Sequence, residues 1–246
     1  MPARERSWRW AVETAGRVGG LVVEPPAAGP DVCRLCRGRC RPHYSVCFPC
    51  VTAMSQVRWP LRRVVPVSLY RPGDELHHVL RHYKDSPDPV VRAELADLVG
   101  ALLASFLFAR AAVVAPGGWD GLVVVPSTRG RPGPHPLAAA LGGISGLSAQ
   151  LVEALAPAGP SGHGQASDEL FRATADVAGR ALVVVDDTMT AGARLHSAAS
   201  ALTGAGATVE VAVAVGRAVN PAASPAVAGW WERHARRPSP PLRPAA

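Results

Sequence analysis

The hydrophobic positions along the chain follow two spacings, which predict strands that alternate with helices. The apolar runs typical of buried β-strands occupy residues 64–70, 121–125, 181–185 and 208–215. The predicted helices occupy residues 74–83, 91–110, 137–141 and 192–204. In the longest of these helices, apolar side chains between Leu95 and Phe106 share one face. Strands that alternate with helices indicate an α/β fold, in which helices cover a parallel sheet on both sides.

Changes in composition divide the chain into four segments. Residues 1–30 form a basic N-terminal segment and linker, residues 31–63 contain all five cysteines, and residues 64–219 hold the predicted sheet. Residues 220–246 are rich in proline, and we predict that this tail is disordered. The longest apolar run, 98–109, is too short to span a bilayer, and the N-terminus lacks the apolar region of a secretory signal. We therefore expect a cytoplasmic protein without a membrane span.

The net charge of +7 is confined to the first quarter of the chain. Residues 1–63 contain eleven arginines and four acidic residues, whereas residues 64–246 contain fifteen basic and fifteen acidic residues. Such a basic segment can face nucleic acid or another anionic partner. The chain also has 25 arginines and a single lysine, so a compositional preference for arginine explains the same charge. Both interpretations stay open at this point.

Four of the five cysteines form two C-x2-C pairs. They are Cys33, Cys36, Cys47 and Cys50. Two such pairs can place four thiolates in the tetrahedron of a structural Zn²⁺ site, and four protein ligands leave no open position for catalysis. Cys40 is the spare thiol, and His43 is an alternative ligand. The module could also contact nucleic acid through Arg34, Arg37, Arg39 and Arg41.

Residues 181–194 combine an apolar run, two adjacent carboxylates, a turn of small residues and the start of a helix. Asp186 and Asp187 can accept hydrogen bonds from two neighbouring ribose hydroxyls. The backbone N–H groups that open the helix can wrap a phosphate, because helix N-termini carry unpaired donors and a favourable dipole. The other residues predicted to hold the phosphorylated sugar are Thr188, Thr190, Ala191, Gly192, Ala193 and Arg194.

A second polar loop ends the strand predicted at 121–125. It contains the hydroxyls of Ser127 and Thr128, followed by Arg129 and Arg131. These groups suit a solvated surface loop, and they also suit a phosphate ligand. The chain between the two loops is long enough for one crossover and one intervening strand. Because ligands of open parallel sheets bind at the carboxyl ends of strands, we predict that both loops belong to one site.

The sequence Val-Val-Val-Asp-Asp-Thr-Met-Thr-Ala-Gly-Ala at 183–193 resembles the signature of type I phosphoribosyltransferases, which bind 5-phosphoribosyl-1-pyrophosphate (PRPP). The resemblance implies a type I phosphoribosyltransferase fold, with Asp186 and Asp187 at the ribose and residues 190–194 at the 5-phosphate. That family usually has Ser or Thr at position 194. Arg194 either replaces the hydroxyl with a charge-assisted contact or points away from the site.

The same resemblance places residues 127–131 at the pyrophosphate, with Mg²⁺ bound together with PRPP. Arg129 and Arg131 would neutralise the charge that the leaving pyrophosphate gains. With Asp186 and Asp187, they are the candidate catalytic residues.

Cysteine pairs followed by such a domain resemble the competence protein F (ComF-like) family, over residues 31–216. Residues 70–84 are similar to the segment of that family that carries a lysine near its end. Lys84 is the only lysine of the chain, and it is either a phosphate ligand or an ordinary lysine at a helix end. The family is associated with uptake of transforming DNA, so the resemblance implies single-stranded DNA or the DNA-uptake machinery as a partner.

Two functions fit these features. The first is a glycosyltransferase that moves a pentosyl group, the 5-phosphoribosyl group of PRPP, to a nitrogen nucleophile. The second is a non-enzymatic sensor of PRPP or of a ribose-5-phosphate nucleotide, whose basic zinc module contacts DNA or a protein partner. We favour the transferase over the sensor.

Overall fold

A parallel sheet of four strands forms the centre of the fold. The computed structural model describes residues 6–128, 134–159 and 164–235. The strands of this sheet are β1 (Arg63–Tyr70), β2 (Gly121–Val124), β5 (Leu182–Met189) and β6 (Val211–Ala218). They lie in the order β1–β6–β5–β2, and every pair is parallel. The predicted α/β class is therefore confirmed, and the carboxyl ends of all four strands lie at one edge.

Seven α-helices accompany the sheet in the described part of the chain. They are α1 (Trp8–Arg17), α2 (Phe48–Ser55), α3 (Glu75–Asp85), α4 (Pro89–Val114), α5 (Pro136–Gly142), α6 (Ala193–Gly204) and α7 (Pro225–His234). Short 3₁₀ turns lie at Gly19–Leu21, Ser148–Gln150 and Pro221–Ala223. The predicted helices at 74–83, 91–110, 137–141 and 192–204 correspond to α3, α4, α5 and α6.

The central strand β5 separates two hydrophobic cores. Val183 and Val185 pack in the core that contains α1, α3 and α4, whereas Leu182 and Val184 pack in the core that contains α6 and the cysteines. Successive side chains of a strand point to opposite faces, so an unbroken apolar run is what a doubly covered strand requires. The cysteine-containing segment is therefore built into one face of the sheet.

Strand β5 extends further than its apolar residues. We predicted a strand that ends at Val185, but β5 continues to Met189 and includes both aspartates. Its partner β6 maintains the ladder, because Thr188 pairs with Gly216 and Met189 pairs with Arg217. Asp186 and Asp187 consequently lie inside a strand and point to opposite faces of the sheet.

Helix α4 is the longest of the described helices, with 26 residues. By length and composition alone it could cross a membrane. The sequence analysis considered only the apolar run 98–109, which is shorter than this helix. Its most apolar window is 56% buried inside the protein. It contacts α1, α3, α5 and the sheet. These contacts are those of a core helix. A buried core helix can be as long and as apolar as a helix that spans a membrane.

The N-terminal segment packs on the sheet domain. Ala11 and Ala15 of α1 are buried in the core that contains α4. Val23, which precedes the proline-rich stretch, forms an antiparallel bridge with Leu69 of β1. Residues 8–23 thus belong to the main core, which the weak hydrophobic periodicity of this segment did not indicate.

The prediction that the tail is disordered is wrong for residues 221–234. Ser224 caps α7 by accepting a hydrogen bond from the N–H of Val227, and Pro225 occupies the first turn, where no N–H is needed. The Trp230 ring is fully buried beside Leu69, and its Nε1 donates to the carbonyl of Asp31 at 2.8 Å. Proline content misled the prediction, since prolines that begin a helix do not oppose it. Residues 236–246 lie outside the described residues.

Two short antiparallel strands lie between α5 and β5 in the chain. Strands β3 (Leu155–Pro157) and β4 (Phe171–Ala173) pair antiparallel, with Leu155 opposite Ala173. Residues 164–170, which precede β4, return to the carboxyl edge of the main sheet.

Candidate functional site

A cavity of about 810 Å³ opens at the carboxyl edge of the sheet. The predicted site residues that line it are Lys84, Ser127, Thr128, Asp186, Thr188, Thr190, Ala191, Gly192, Ala193 and Arg194. One wall of the cavity comes from β1 and α3 and consists of Tyr70, His77, Leu80, Arg81 and Asp85. A second wall comes from the β3–β4 connection and consists of Gly164, Gln165 and Leu170. Parallel topology explains this convergence, because every connection that leaves a strand at this edge begins beside the same space.

The loop between β5 and α6 presents backbone donors to the cavity. Gly192 precedes α6 in the left-handed conformation, with φ of +80°. A Cβ at this position would lie 2.8 Å from the Cε atom at the flexible end of Met189, so it is the left-handed conformation that requires glycine. In the described part of the chain, the N-cap of α6 makes no side-chain hydrogen bond. The first N–H groups of a helix are suited to an anionic ligand, and their contact with a phosphate stays a prediction.

Asp186 lines the cavity with a carboxyl group that is almost fully buried. Burial raises the pKa of Asp186 to about 7, because lost hydration and the nearby charge of Asp187 outweigh the opposite effect of Arg194. Its Oδ1 accepts a hydrogen bond from the N–H of Asp187 at 2.9 Å. A carboxyl group that titrates near neutrality beside a cavity is typical of functional sites.

Asp187 faces the other side of the sheet and does not line the cavity. Its carboxylate is fully buried and accepts a hydrogen bond from the Tyr83 hydroxyl at 2.7 Å. The same carboxylate oxygen forms an ion pair with Lys84. Burial alone would raise the pKa of Asp187, but the charge of Lys84 and hydrogen bonds involving Asp186, Lys84 and Tyr83 hold it below its usual range. The two adjacent carboxylates are therefore in different electrostatic states.

Lys84 is more than an ordinary lysine at a helix end, because it has a buried partner, and its contact with a phosphate stays a prediction. It lies near the end of α3, lines the cavity and at the same time pairs with Asp187 across the sheet edge. Sequence analysis missed Tyr83 as a site residue. The available signal was the position of Tyr83 at the end of the predicted helix 74–83, directly before the single lysine of the chain.

Arg194 does not point away from the site. It lines the cavity, donates from Nη2 to the carbonyl of Pro126 at 3.0 Å, and holds Nη1 3.8 Å from Oδ2 of Asp186. The guanidinium thus joins the loop after β5 to the loop after β2. It adds positive charge where the family that the sequence resembles has a hydroxyl.

The loop after β2 is described only in part. Ser127 and Thr128 line the cavity opposite α6. Arg129 and Arg131, the candidate catalytic arginines, lie outside the described residues. Their assignment to the pyrophosphate stays a prediction.

The four paired cysteines form a compact buried cluster. Their sulfur atoms all lie within 4.8 Å of one another, and two of the separations are 3.8 Å (Cys36–Cys47) and 4.0 Å (Cys33–Cys50). A tetrahedral Zn²⁺ with Zn–S bonds of about 2.3 Å requires sulfur separations of about 3.8 Å. The donor set and its dimensions therefore fit zinc.

The remaining candidate ligands lie apart from this cluster. The Cys40 thiol donates to the carbonyl of Tyr44 at 3.1 Å, and His43 is exposed. Hydrogen bonds from the other three thiols hold the pKa of Cys33 well below its usual range. A thiolate at Cys33 is the form that binds metal.

A buried arginine, Arg217, stands beside the cysteines. It lies near the end of β6 and is 8% exposed. Burial lowers the pKa of Arg217, but the charge of Cys36 and its hydrogen bond outweigh this effect and raise it. Gly38 allows the approach, since a Cβ there would lie 2.9 Å from Nη2 of Arg217. Four thiolates around Zn²⁺ would carry a net negative charge, which Arg217 would offset. Sequence analysis missed it, although a single charged residue in an apolar strand is a usable signal.

Comparison with known proteins adds distant likenesses. No family model matches the sequence, and no curated protein matches it. Among solved structures, the chain is similar to a phosphoribosyltransferase from Corynebacterium diphtheriae, with 21% identity, a TM-score of 0.32, and coverage of 57% of this chain and 82% of that one. It is also similar to Mycobacterium tuberculosis H37Rv orotate phosphoribosyltransferase in complex with Fe(III) dicitrate, with 19% identity, a TM-score of 0.29, and coverage of 52% and 73%. Likenesses at this level do not define an activity for this chain.

The cysteine cluster predicts about one Zn²⁺ per chain. Cys33→Ser or Cys50→Ser should remove the metal, because each deletes one corner of the tetrahedron. Elemental analysis of the purified protein measures this. Cys40→Ser is the matched control and should keep the metal, since its thiol bonds to Tyr44 instead. A folded wild-type protein without metal would contradict the assignment.

The pKa of Asp186 predicts how its replacement responds to pH. Because folding raises this pKa from 3.8 to about 7, the folded protein loses stability from this group as the pH rises through that interval. Asp186→Asn removes the titration and keeps an oxygen for the N–H of Asp187. We therefore compare the melting temperature of the variant minus that of wild type at two pH values. This difference should be larger at about pH 8 than at about pH 5. Asp176→Asn, on the exposed surface, is the control. A difference that does not change with pH would show that Asp186 titrates normally.

Proposed function

We propose that the cavity binds the 5-phosphoribosyl group of PRPP and that the protein is a phosphoribosyltransferase. The observation that carries this proposal is the convergence of three features at one sheet edge. These are a helix N-terminus free of side-chain caps, a carboxyl group at Asp186, and the hydroxyls of Ser127 and Thr128. PRPP presents a complementary group for each of them, which are the 5-phosphate, the ribose hydroxyls and the pyrophosphate.

The 5-phosphate would bind the N–H groups of residues 190–194, where the helix dipole favours an anion. The Thr190 hydroxyl and the Arg194 guanidinium would add further donors to it. Asp186 would accept hydrogen bonds from the ribose hydroxyls. Asp187 would act through Lys84, whose ammonium group it holds at the cavity wall.

The pyrophosphate would lie along the loop after β2. Ser127 and Thr128 would donate to it, and Arg129 and Arg131 would neutralise the charge that it gains as the glycosidic bond breaks. Mg²⁺ would be held mainly by oxygens of PRPP itself and would supply additional positive charge, and Asp186 is one of the carboxyl groups that line the cavity in which it would bind. The nitrogen nucleophile would attack C1 of the ribose, and this chemistry requires no nucleophilic side chain from the protein.

Calorimetric titration with PRPP and Mg²⁺ tests the binding site. Thr190→Val removes one exposed hydroxyl donor to a charged phosphate, so affinity should fall by about 1.5–3 kcal/mol, roughly tenfold to 150-fold. Asp187→Asn should cost a similar amount, because Lys84 loses the charge that positions it. Thr174→Val is the matched control, since Thr174 is exposed and does not line the cavity. Equal losses in Thr190→Val and Thr174→Val would show that the phosphate binds elsewhere.

Turnover separates the enzyme from the sensor. We expect wild-type protein with Mg²⁺ and PRPP to release pyrophosphate when ammonia or a nucleobase is supplied. A protein that binds PRPP but releases no pyrophosphate with any of these nucleophiles is a sensor.

A second candidate function, binding of single-stranded DNA, is favoured by the surface of the zinc module, residues 31–63. Tyr44, Phe48 and Val51 are 65%, 81% and 51% exposed, and Arg34 and Arg41 are exposed in the same segment. Aromatic rings interleaved with arginines are typical of surfaces that stack bases and contact the phosphate backbone.

Fluorescence titration with a thymidine oligonucleotide tests this second function. Phe48→Ala should weaken binding by about 1–3 kcal/mol if the ring stacks on a base, and wild-type affinity should fall steeply with salt. Trp8→Ala removes an exposed ring outside the module and should change little. Binding that survives high salt, or that responds equally to both variants, would argue against this surface.

A further inference from the structure

The end of the zinc module is tied to the segment that lines one side of the cavity. We call residues 164–168 the strap. Gly164 and Gln165, at its start, line the cavity. The next residue, Ala166, donates its N–H to Oε1 of Gln56, directly after α2, at 2.9 Å. The zinc module therefore touches the strap one residue away from the cavity.

Two further residues of the strap are held beside the same segment. Both carboxylate oxygens of Asp168 accept from the N–H of Arg58, at 3.1 and 3.2 Å, and one of them also accepts from the Ser200 hydroxyl of α6. Ser167 donates its N–H to the Ser197 hydroxyl, also of α6, at 2.9 Å. Three consecutive strap residues are thus bonded to the zinc module or to α6.

The zinc module also contacts α6, the helix that follows residues 190–192, which we call the phosphate loop. Leu61 donates its N–H to Nδ1 of the buried His196 at 3.2 Å, and Trp59 donates its N–H to the Ser200 hydroxyl at 3.1 Å. Ala193, the first residue of α6, packs in a small buried cluster with Ala53, Val57 and Ala166. This cluster joins α2, the strap and the start of α6, directly after the phosphate loop.

The cysteines determine where α2 begins. Cys47 immediately precedes the helix and Cys50 lies in its first turn, while Gln56 follows its last residue. The helix has only eight residues, and helices this short are marginal without external support. Bonds from Cys47 and Cys50 to a metal would fix the start of α2, and hence the position of Gln56 at its end.

We propose that the zinc module is a positioning element for the phosphoribosyl cavity, acting through Gln56 and Asp168. Metal at the cysteines fixes α2, α2 holds the strap at the cavity wall, and Ala193 is held with it. The proposal rests on the proposed function, because the affected ligand is the 5-phosphate group. Zinc and a phosphorylated ligand should then bind cooperatively, and coupling of this kind is reciprocal.

Isothermal titration with ribose 5-phosphate measures the coupling in the full chain, with zinc loaded and with zinc removed by a chelator. Zinc removal should weaken binding by about tenfold, within the range of ordinary coupling between sites. In zinc-loaded protein, Gln56→Ala should cause a similar loss. Removal of zinc from Gln56→Ala should then weaken binding less than it does in wild type, because only the connection between Asp168 and Arg58 remains.

Two variants make this test specific. Gln56→Glu keeps an acceptor oxygen for the N–H of Ala166 and should restore both affinity and its dependence on zinc. Gln150→Ala is the matched control, because Gln150 also accepts a side-chain hydrogen bond, from Trp119 Nε1 at 2.8 Å, outside the strap. If Gln56→Ala and Gln150→Ala have equal effects, Gln56 contributes only to general stability and the proposal is overturned.

Hydrogen exchange measured on peptides that cover residues 164–170 gives a readout without ligand. Zinc should slow exchange at the strap in wild type and in Gln56→Glu, but much less in Gln56→Ala. If ribose 5-phosphate fails to bind to any form, the proposed function fails, while exchange still tests the positioning. If zinc-free protein unfolds, the comparison of zinc-loaded Gln56→Ala with Gln150→Ala carries the test. Strap exchange that is unchanged by zinc or by Gln56→Ala would overturn the proposal.

Discussion

A carboxylate without contact to water needs a counter-charge from the protein, and this constraint on Asp187 organises the site. Its partners are Lys84 and the Tyr83 hydroxyl, both on α3. Breaking a buried ion pair by removing one partner typically costs about 3–5 kcal/mol, so α3 has one strongly preferred position on the sheet. That position brings the ammonium group of Lys84 to the cavity, where it adds positive charge beside the phosphate loop.

The period of two along a strand gives the adjacent carboxylates different environments. Asp187 turns toward α3 and stays ionised, whereas Asp186 turns toward α6 and the cavity. Among the described residues, Asp186 has Arg194 3.8 Å away but no counter-charge as close as the one that Lys84 provides for Asp187. Its pKa is consequently raised to about 7. The cost of ionising Asp186 falls when a ligand or cation supplies more hydrogen bonds or positive charge, and such a group is suited to binding.

The cysteine module occupies the α6 face and shares a core with it. Cys33, Cys36 and Leu35 pack with Leu195 and Ala198 of α6. Arg217 reaches the cysteines from the end of β6, the strand next to β5. A residue of the sheet would thus balance the charge of a metal bound at the cysteines. Metal site and cavity accordingly share α6 and neighbouring strands, which accounts for the close contact between α2 and the strap.

The sequence by itself determined the strands, the main helices, the cysteine pairs and the order of groups in the phosphate loop. These features depend on neighbours within a few positions, so hydrophobic period and spacing reveal them. Sequence analysis ended β5 too early, because polar residues normally mark a strand end, whereas pairing with β6 continues through Met189. It also treated the tail as disordered, because the burial of Trp230 depends on Asp31, 199 residues away in the chain.

The tertiary structure alone decided which carboxylate faces the cavity and what holds the other. Tyr83 and Asp187 are 104 residues apart, and Gln56 and Ala166 are 110 apart. Their contacts arise from how helices dock on the two faces of the sheet, and local sequence spacing does not encode that docking. The pKa values follow in turn from burial and from these distant charges. The composition of the site could thus be predicted from the sequence, but its electrostatics required the fold.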